Sequence, residues 1–236
     1  MLGYRMQTHF NLTPAEYEAR REGAVEERRR SLVRSEMNGL HGVTHALELG
    51  CGPGRFLDEL AGDYPQVHFT GIDVCPAMID YARRQHRRAN LQYECRDIIE
   101  SADGDAAQFV FSIDVLHHVH RLAEFFAAIR RLMSPGGRWL AIEPNVYHPY
   151  IYYSQERMRR AGFDEDHFRP WQAEPLLNRA GFQVVSRNYA SVFPGTIRRL
   201  PRPLSWLERR CENWRLLGGS VVYRLVVEKM TNESAQ

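Results

Sequence analysis

The sequence predicts an α/β fold: a doubly wound, mostly parallel sheet of seven strands that ends in an antiparallel hairpin. From residue 44 onward, strand-like and helix-like segments alternate, the pattern of parallel strands joined by helical crossovers. A glycine-rich turn follows the first of these strands, and the last two strand-like segments have only a helical insertion between them. The length of 236 residues suits one such domain, so we predict a single domain over residues 1–236.

Composition narrows the class of protein further. Hydrophobic residues make up 44% and charged residues 25%, which is ordinary for a globular domain, and the formal net charge of +2 is too small to indicate a nucleic-acid partner. No apolar run is long enough for a membrane-spanning helix or a signal peptide, so we expect a cytoplasmic protein. The four cysteines show no CxxC spacing, which favours reduced thiols over a zinc site or disulfides.

The segments follow from capping signals and periodicity. Thr13-Pro14-Ala15-Glu16 predicts the start of a helix that runs to about Glu36, within an N-terminal helical lid over residues 1–43. We further divide the chain into a core (44–145), an aromatic insertion (146–169) and a C-terminal part (170–236) with a helical insertion at about 192–218. The predicted strands are 44–49, 67–73, 91–95, 109–113, 139–142, 182–190 and 221–228, and the predicted helices of the alternating part are 55–61, 76–86, 122–133 and 170–181.

The turn after the first strand indicates a ligand that approaches the backbone closely. Gly50, Gly52 and Gly54 form a GxGxG pattern, and glycines allow such an approach because no side chain intervenes. A dinucleotide site would need its third small residue at the position of Arg55, which is too large. An acidic residue, Glu48, precedes the glycines by two positions.

Residues 44–145 resemble the class I S-adenosylmethionine-dependent methyltransferases. The glycine turn resembles their motif I, the segment 71–78 their motif II, the segment 111–119 their motif IV, and residues 132–137 the turn that follows. The resemblance implies a Rossmann-like methyltransferase fold, S-adenosylmethionine as the cofactor, and methyl transfer as the activity. It further implies these donor-binding residues: Glu48, Gly50, Cys51, Gly52, Asp73, Val74, Met78, Asp97, Ile98 and Ser112, with Tyr17 and Arg20 (or Arg21) closing over the methionine end.

Two histidines follow the fourth predicted strand. His117 and His118 are candidate catalytic bases, and we favour His117, although one of the pair could simply pack against the next helix. Asp114-x-x-His117-His118 also has the spacing of a metal set found in some O-methyltransferases, but we predict no metal because carboxylates dominate that set. The Ser-Ile-Asp-Val sequence here differs from the motif of methyltransferases that act on exocyclic amines of bases or glutamine.

The remaining segments carry the hypotheses about the acceptor. Residues 145–169 are rich in aromatic side chains that could form the wall of a substrate pocket, although core and interface packing would explain the tyrosines equally well. The substrate candidates are Asn145, Tyr147, Tyr150, Tyr153, Phe163 and Trp171. In the 192–218 insertion, Leu204, Trp206, Leu207 and Trp214, with nearby arginines, could meet a lipid surface, but packing on this domain or on a second subunit is favoured.

Taken together, these observations predict methylation of a small molecule, with oxygen favoured over nitrogen or carbon as the acceptor atom. Two alternatives stay open. One is an RNA-modifying methyltransferase, which would need a basic face that the sequence does not show. The other is a donor-binding subunit without its own activity, which the intact motifs argue against.

Overall fold

A computed structural model describes residues 12–102, 104–163, 166–192, 201–211 and 213–227 of the chain. Seven strands form one sheet in the order β3-β2-β1-β4-β5-β7-β6. The strands are β1 (His45–Leu49), β2 (His68–Asp73), β3 (Leu91–Cys95), β4 (Ala107–Ile113), β5 (Met133–Pro144), β6 (Phe182–Ala190) and β7 (Ser220–Val227). The first five strands pair in parallel, whereas β7 lies antiparallel between β5 and β6, so the predicted fold is confirmed.

Eight α-helices connect or cover these strands in the described part of the chain. They are α1 (Pro14–Arg20), α2 (Ala24–Asn38), α3 (Arg55–Asp63), α4 (Pro76–Gln85), α5 (Leu122–Arg131), α6 (Pro149–Arg160), α7 (Pro170–Arg179) and α8 (Arg202–Cys211). A short 3-10 turn, Leu116–His118, follows β4. No helix among the described residues is long and apolar enough to cross a membrane.

Each face of the sheet has its own apolar core. On one face, the ring of Trp139 lies between those of Phe126 and Phe182, with centroids 5.8 and 5.3 Å away. On the other face, Leu57 of α3 and Phe111 of β4 belong to a second cluster. Because β4 is covered on both sides, nearly all its residues are buried, as its apolar sequence predicts.

The N-terminal helix differs from its prediction. The capping box at Thr13 forms, since the Thr13 N–H donates to Glu16 Oε2 at 2.8 Å and the Glu16 N–H donates to Thr13 Oγ1 at 3.3 Å. The prediction of one helix to about Glu36 was wrong, because Gly23 adopts a φ of 115° and separates α1 from α2. This break lets α1 contact α4 while α2 packs on one face of the sheet, against β4 and β5.

Two further differences lie around β5. This strand begins at Met133, before the Ser-Pro-Gly-Gly segment, and its pairing with β4 shifts register between Ala107 and Phe109. We predicted a start at Trp139, because the glycines indicated a turn. The aromatic insertion contains α6, which we did not predict as a helix; it begins at Pro149, and His148 Nδ1 accepts from the Ile151 N–H at 3.4 Å.

Candidate active site

A cavity of about 950 Å³ lies at the carboxyl ends of β1, β2 and β4, and the glycine turn forms part of its wall. We call it the donor cavity. Gly50, Gly52 and Gly54 have φ angles of 69°, 54° and 87°, a region that favours glycine. A Cβ at Gly54 would lie 2.6 Å from the hydroxyl oxygen of Tyr93, which itself donates to the Gly54 carbonyl at 2.9 Å. Packing as well as backbone angle therefore requires glycine here.

Asp73 closes β2 beside this turn. Its Oδ2 accepts from the Gly52 N–H and its Oδ1 from the Cys75 N–H, both at 2.8 Å. Burial raises the pKa of Asp73, while these backbone donors act in the opposite direction and hold the carboxylate in place. Each carboxylate oxygen keeps lone-pair capacity for one more donor, which suits the two hydroxyls of a ribose.

Glu48, at the end of β1, is a buried acid without a partner at one oxygen. Its side chain is 6% exposed, and Oε2 has no hydrogen-bond donor within the described residues. Burial raises the pKa of Glu48 to about 8. An orphaned carboxylate in the wall of a cavity fits a ligand with positive charge, and S-adenosylmethionine carries both an ammonium and a sulfonium group.

Further predicted donor residues line the same cavity. Asp97 follows β3, and its Oδ1 accepts from the Ile99 N–H at 2.9 Å, which fixes the carboxylate at the cavity wall. Next to it, Ile98 is buried and contributes an apolar surface. The wall also includes Cys51, Val74 and Met78.

Helix α1 forms another part of the cavity wall. Tyr17 lines the cavity, and a Cβ at Gly52 would lie 3.7 Å from its ring. Glu18 anchors the helix by accepting from the Tyr81 hydroxyl at 3.1 Å and bonding His86 Nε2 at 2.9 Å. Of the two arginines considered from the sequence, Arg21 lines this cavity, while Arg20 does not and lines a neighbouring one.

The structure does not bring Ser112 to the donor cavity. Its side chain is fully buried within β4, and Oγ accepts from Trp139 Nε1 at 3.2 Å. Because alternate residues of a strand point to opposite faces, this side chain is committed to the core. Ser112 as a donor-binding residue therefore stays a prediction that rests on the resemblance alone.

Asp114, directly after β4, is the centre of a charge cluster that the sequence did not predict. Its Oδ2 accepts from Arg21 Nη1 at 2.9 Å and from Arg29 Nη1 at 2.6 Å. Burial opposes ionisation, yet these two guanidinium groups hold the pKa of Asp114 well below its usual range. Arg29 Nε also donates to Ser220 Oγ at 3.4 Å, which links α2 to β7.

This cluster bears on the metal alternative. The Asp114 carboxylate is occupied by cations, and His117 Nδ1 bonds to a glutamate, so neither is arranged toward a shared ion. Across the described residues, no group of three or more His, Cys, Asp and Glu side chains could hold a metal ion.

His117 and Glu143 form a buried pair at the end of β4 and β5. His117 Nδ1 lies 2.9 Å from Glu143 Oε2, and both side chains are almost fully buried. Glu143 also accepts from the N–H groups of Val115 and Leu116, at 2.9 and 2.8 Å. The ring of His118 lies 4.0 Å from that of His117, centroid to centroid. We did not predict Glu143 as a site residue, although its position after a buried strand was a usable signal.

A second cavity of about 420 Å³ adjoins the donor cavity and shares Tyr17, Arg21, Asp114 and His118 with it. We call it the acceptor cavity. Its other walls come from α1, α2, the 3-10 turn and α6, which contributes Ile151, Ser154, Gln155 and Met158. His117 lines this cavity and not the donor cavity.

None of the six predicted substrate residues lines either cavity. Tyr150, Tyr153 and Trp171 are 57%, 64% and 54% exposed. Asn145 is fully buried, and its Nδ2 donates to the carbonyls of Arg215 and Gly218 at 2.7 and 2.6 Å.

The other two lie near the ends of α6. Tyr147 packs against the Trp171 ring, with centroids 5.7 Å apart, and under the Arg215 guanidinium at 4.5 Å. Phe163 follows α6, and its N–H donates to the Met158 carbonyl at 3.2 Å. Helix α6 turns Ile151, Ser154 and Gln155 toward the acceptor cavity, while Tyr150 and Tyr153 are exposed. The aromatic substrate wall therefore stays a prediction from the sequence, without support from the two cavities.

The helical insertion is described in part. In α8 and the segment after it, Trp206, Leu207 and Trp214 are 56%, 41% and 62% exposed, and Trp214 lies beyond the end of the helix. Residues 193–200 and the side chain of Leu204 lie outside the described residues.

The fold, the glycine turn and the acids at the ends of β1, β2 and β3 together define a nucleotide-type donor site. Residues 46–137 match a family described as a methyltransferase domain. This match and the methyltransferases among the similar proteins described below support the class I S-adenosylmethionine-dependent methyltransferase superfamily for this part of the chain. The donor of this superfamily is S-adenosylmethionine, which the orphaned Glu48 and the doubly bonded Asp73 fit.

Two curated relatives show how far the sequence similarity extends. The malonyl-[acyl-carrier protein] O-methyltransferase of Acetivibrio thermocellus is 27% identical over 127 residues, which cover 53% of this chain and 45% of that protein. Nodulation protein S of Rhizobium tropici is 29% identical over 99 residues, which cover 40% of this chain and 41% of that protein. This chain therefore spans about half the length of the curated relatives it matches.

A solved structure supports the fold alone. The N-methyltransferase NodS of Bradyrhizobium japonicum, solved with S-adenosyl-L-homocysteine, matches with a TM-score of 0.59 at 17% identity. The match covers 87% of this chain and 88% of that one.

Proposed function

We propose that the chain transfers a methyl group from S-adenosylmethionine to an oxygen of a small-molecule acceptor. The observation that carries the proposal is the His117–Glu143 pair: the His117 side chain lines the acceptor cavity beside His118, and His118 lines both cavities. S-adenosylmethionine supplies an electrophilic methyl group on its sulfonium. A hydroxyl acceptor needs a base to become a good nucleophile, and an imidazole is suited to that role.

Each donor-binding residue would contact a different part of S-adenosylmethionine. Asp73 would accept from the ribose hydroxyls, Asp97 from the adenine amino group, and Glu48 from the ammonium of the methionine part. Tyr17 and Arg21 would close the methionine end from α1. Alignment of this kind lowers the barrier to transfer because the reacting groups are already placed.

Glu143 gives His117 the character of a base. When the Nδ1–H donates to Glu143, the lone pair is on Nε2, and the buried carboxylate stabilises the imidazolium that forms once a proton is taken up. His118 lies against this ring and lines both cavities, so it is the second candidate to contact the acceptor.

The relatives support methyl transfer to a small molecule without deciding the acceptor atom. Two are named O-methyltransferases, the one from Acetivibrio thermocellus and O-methyltransferase cnsE of Penicillium expansum, whereas a structural neighbour is an N-methyltransferase. The His117–Glu143 base favours oxygen, because a hydroxyl loses its proton as it reacts.

Label transfer tests the proposal. The protein is incubated with methyl-labelled S-adenosylmethionine and a metabolite extract, and labelled products are identified by mass spectrometry. We expect label in a small molecule carrying a new O-methyl group. Label in RNA, or no label despite binding of S-adenosylhomocysteine, would instead support the RNA-modifying or the silent donor-binding alternative.

Donor binding is tested separately by thermal unfolding. S-adenosylhomocysteine should raise the melting temperature because it binds only the folded chain, while NAD should not. Stabilisation by NAD alone would contradict the assignment of the donor cavity.

A further inference from the structure

The acceptor cavity contains a buried hydrogen-bond donor that has no partner. Gln155 of α6 lines the cavity and is 7% exposed, yet its Nε2 has no hydrogen-bond partner within the described residues. A buried amide that makes no hydrogen bond destabilises the folded chain, so such a group points to a ligand that completes it.

The other end of this amide faces a second side chain. Gln155 Oε1 lies 3.2 Å from Nδ1 of His167, a buried histidine whose ring stacks on that of Tyr152 with centroids 4.6 Å apart. In the tautomer in which His167 Nδ1 carries the proton, it donates to Oε1 and the NH₂ group is the part that is left for a ligand. The ligand must therefore present an acceptor oxygen at this wall.

The charges in the same cavity indicate whether the acceptor oxygen of the ligand is neutral or anionic. Three arginines line it, and two of them, Arg21 and Arg29, are paired with Asp114 and Glu26. The third, Arg20, is exposed and makes no ion pair with any described residue. The charge of Arg20 interacts with that of Glu16, four residues earlier on α1, and both side chains are exposed, so this guanidinium remains open to an anion.

We propose that Gln155 and Arg20 bind a carboxylate of the acceptor, so that the methylated compound is a small hydroxy-carboxylate. The inference rests on the proposed function, because it names the substrate class of that site. The carboxylate accepts from Gln155 Nε2 and is attracted by Arg20, while the hydroxyl is directed to the His117 side of the cavity. The aromatic residues outside the cavity have no part in this selection.

Binding of matched pairs tests the proposal without knowledge of the natural acceptor. The full chain is saturated with S-adenosylhomocysteine and titrated, by NMR, with salicylate and salicylamide, mandelate and mandelamide, and lactate and lactamide. Within each pair the hydroxyl and the size are kept, and only the charge of the acyl group changes. We expect at least one carboxylate to bind about tenfold or more tightly than its amide.

Three variants test which residues cause the preference for a carboxylate over its amide. Gln155→Glu keeps an oxygen for His167 and replaces the free donor by a negative charge, so it should weaken the preferred carboxylate about tenfold or more. Arg20→Gln should weaken it about threefold, since the arginine is exposed. Arg157→Gln removes an exposed arginine of α6 that lines neither cavity, and should change nothing.

The proposal is overturned if no carboxylate binds, if acids and amides bind equally, or if Arg157→Gln weakens binding as much as Arg20→Gln. Should Gln155→Glu fail to fold, Gln155→Leu keeps the volume and removes the donor, and should likewise abolish the preference. Failure of the proposed function can be distinguished from failure of this inference. Label transfer into a compound without a carboxylate contradicts this inference alone. Carboxylate-selective binding with no label transfer contradicts the proposed function and leaves only the carboxylate site itself supported.

Discussion

Replacement of Glu143 by glutamine tests the base assignment most directly. The carboxylate accepts from the N–H groups of Val115 and Leu116 at one oxygen, and from His117 at the other. An amide must turn its NH₂ toward one of these pairs of donors. At about 1–3 kcal/mol for each buried donor that loses its acceptor, two losses lower the free energy of unfolding by about 2–6 kcal/mol.

The effect on the rate of methyl transfer follows from which ring nitrogen of His117 carries the proton. If the NH₂ group faces His117, Nδ1 becomes the acceptor and the proton moves to Nε2, where a base needs its lone pair. We expect the rate of methyl transfer to fall by about 100-fold to 10,000-fold, with little change in the affinity for S-adenosylhomocysteine, which binds in the donor cavity.

The assay combines chemical denaturation, calorimetric donor binding and single-turnover label transfer into the product found in the extract, all at low temperature so that the variant stays folded. Glu27→Gln is the control, because it removes a carboxylate from the exposed surface of α2. A Glu143→Gln protein that is folded, binds the donor and transfers methyl within twofold of the parent rate would refute the assignment of His117 as a base.

Three further predictions concern the donor cavity. Asp73→Ala should weaken S-adenosylhomocysteine about 100-fold or more in calorimetry, since hydrogen bonds to a charged group are lost, and retained affinity would contradict the ribose assignment. Gly54→Ala should lower the free energy of unfolding by about 2 kcal/mol or more, because its Cβ meets the Tyr93 ring at 2.6–2.7 Å. Gly42→Ala, also at positive φ but with nothing within 4 Å of its Cβ, is the control and should cost about 1 kcal/mol. Burial raises the pKa of Glu48 to about 8, so the unbound site is protonated below that pH. A cationic ligand needs the carboxylate, so affinity should rise as pH rises toward 8, and a Glu48→Gln variant should remove this dependence. The raised pKa of Glu48 also makes folding depend on pH, in the opposite direction to ligand affinity. Without ligand, the free energy of unfolding falls as pH rises from about 4.5 to 8.

The sequence was most informative where a signal is local. The glycine turn and the acid 21 residues after Gly52 indicated one cavity, because strand alternation brings the ends of β1 and β2 together. Thr13 and Glu16 likewise indicated the start of α1 correctly, since a capping box needs only four residues.

The acceptor side could not be derived in this way. Arg21 and Arg29 contact Asp114 from 93 and 85 positions away, and no pattern links them before the chain is folded. The direction in which α6 faces also depends on tertiary packing. A count of aromatics favoured Tyr150 and Tyr153 as cavity residues, but helix geometry turned Gln155 inward instead.

The position of β7 has a consequence for the order of folding. β6 occupies the edge of the sheet and pairs with β7, which is synthesised after it, so β6 has no place in the sheet until the last strand is made. Ser220, at the start of β7, accepts a hydrogen bond from Arg29, and Arg29 also donates to the carboxylate of Asp114. A ribosome-bound chain that ends before Ser220 already contains β1 to β5. It can therefore form the part of the sheet that carries the donor cavity. The acceptor half must wait for β7, so the nascent protein can acquire its donor cavity before it acquires a complete place for the acceptor.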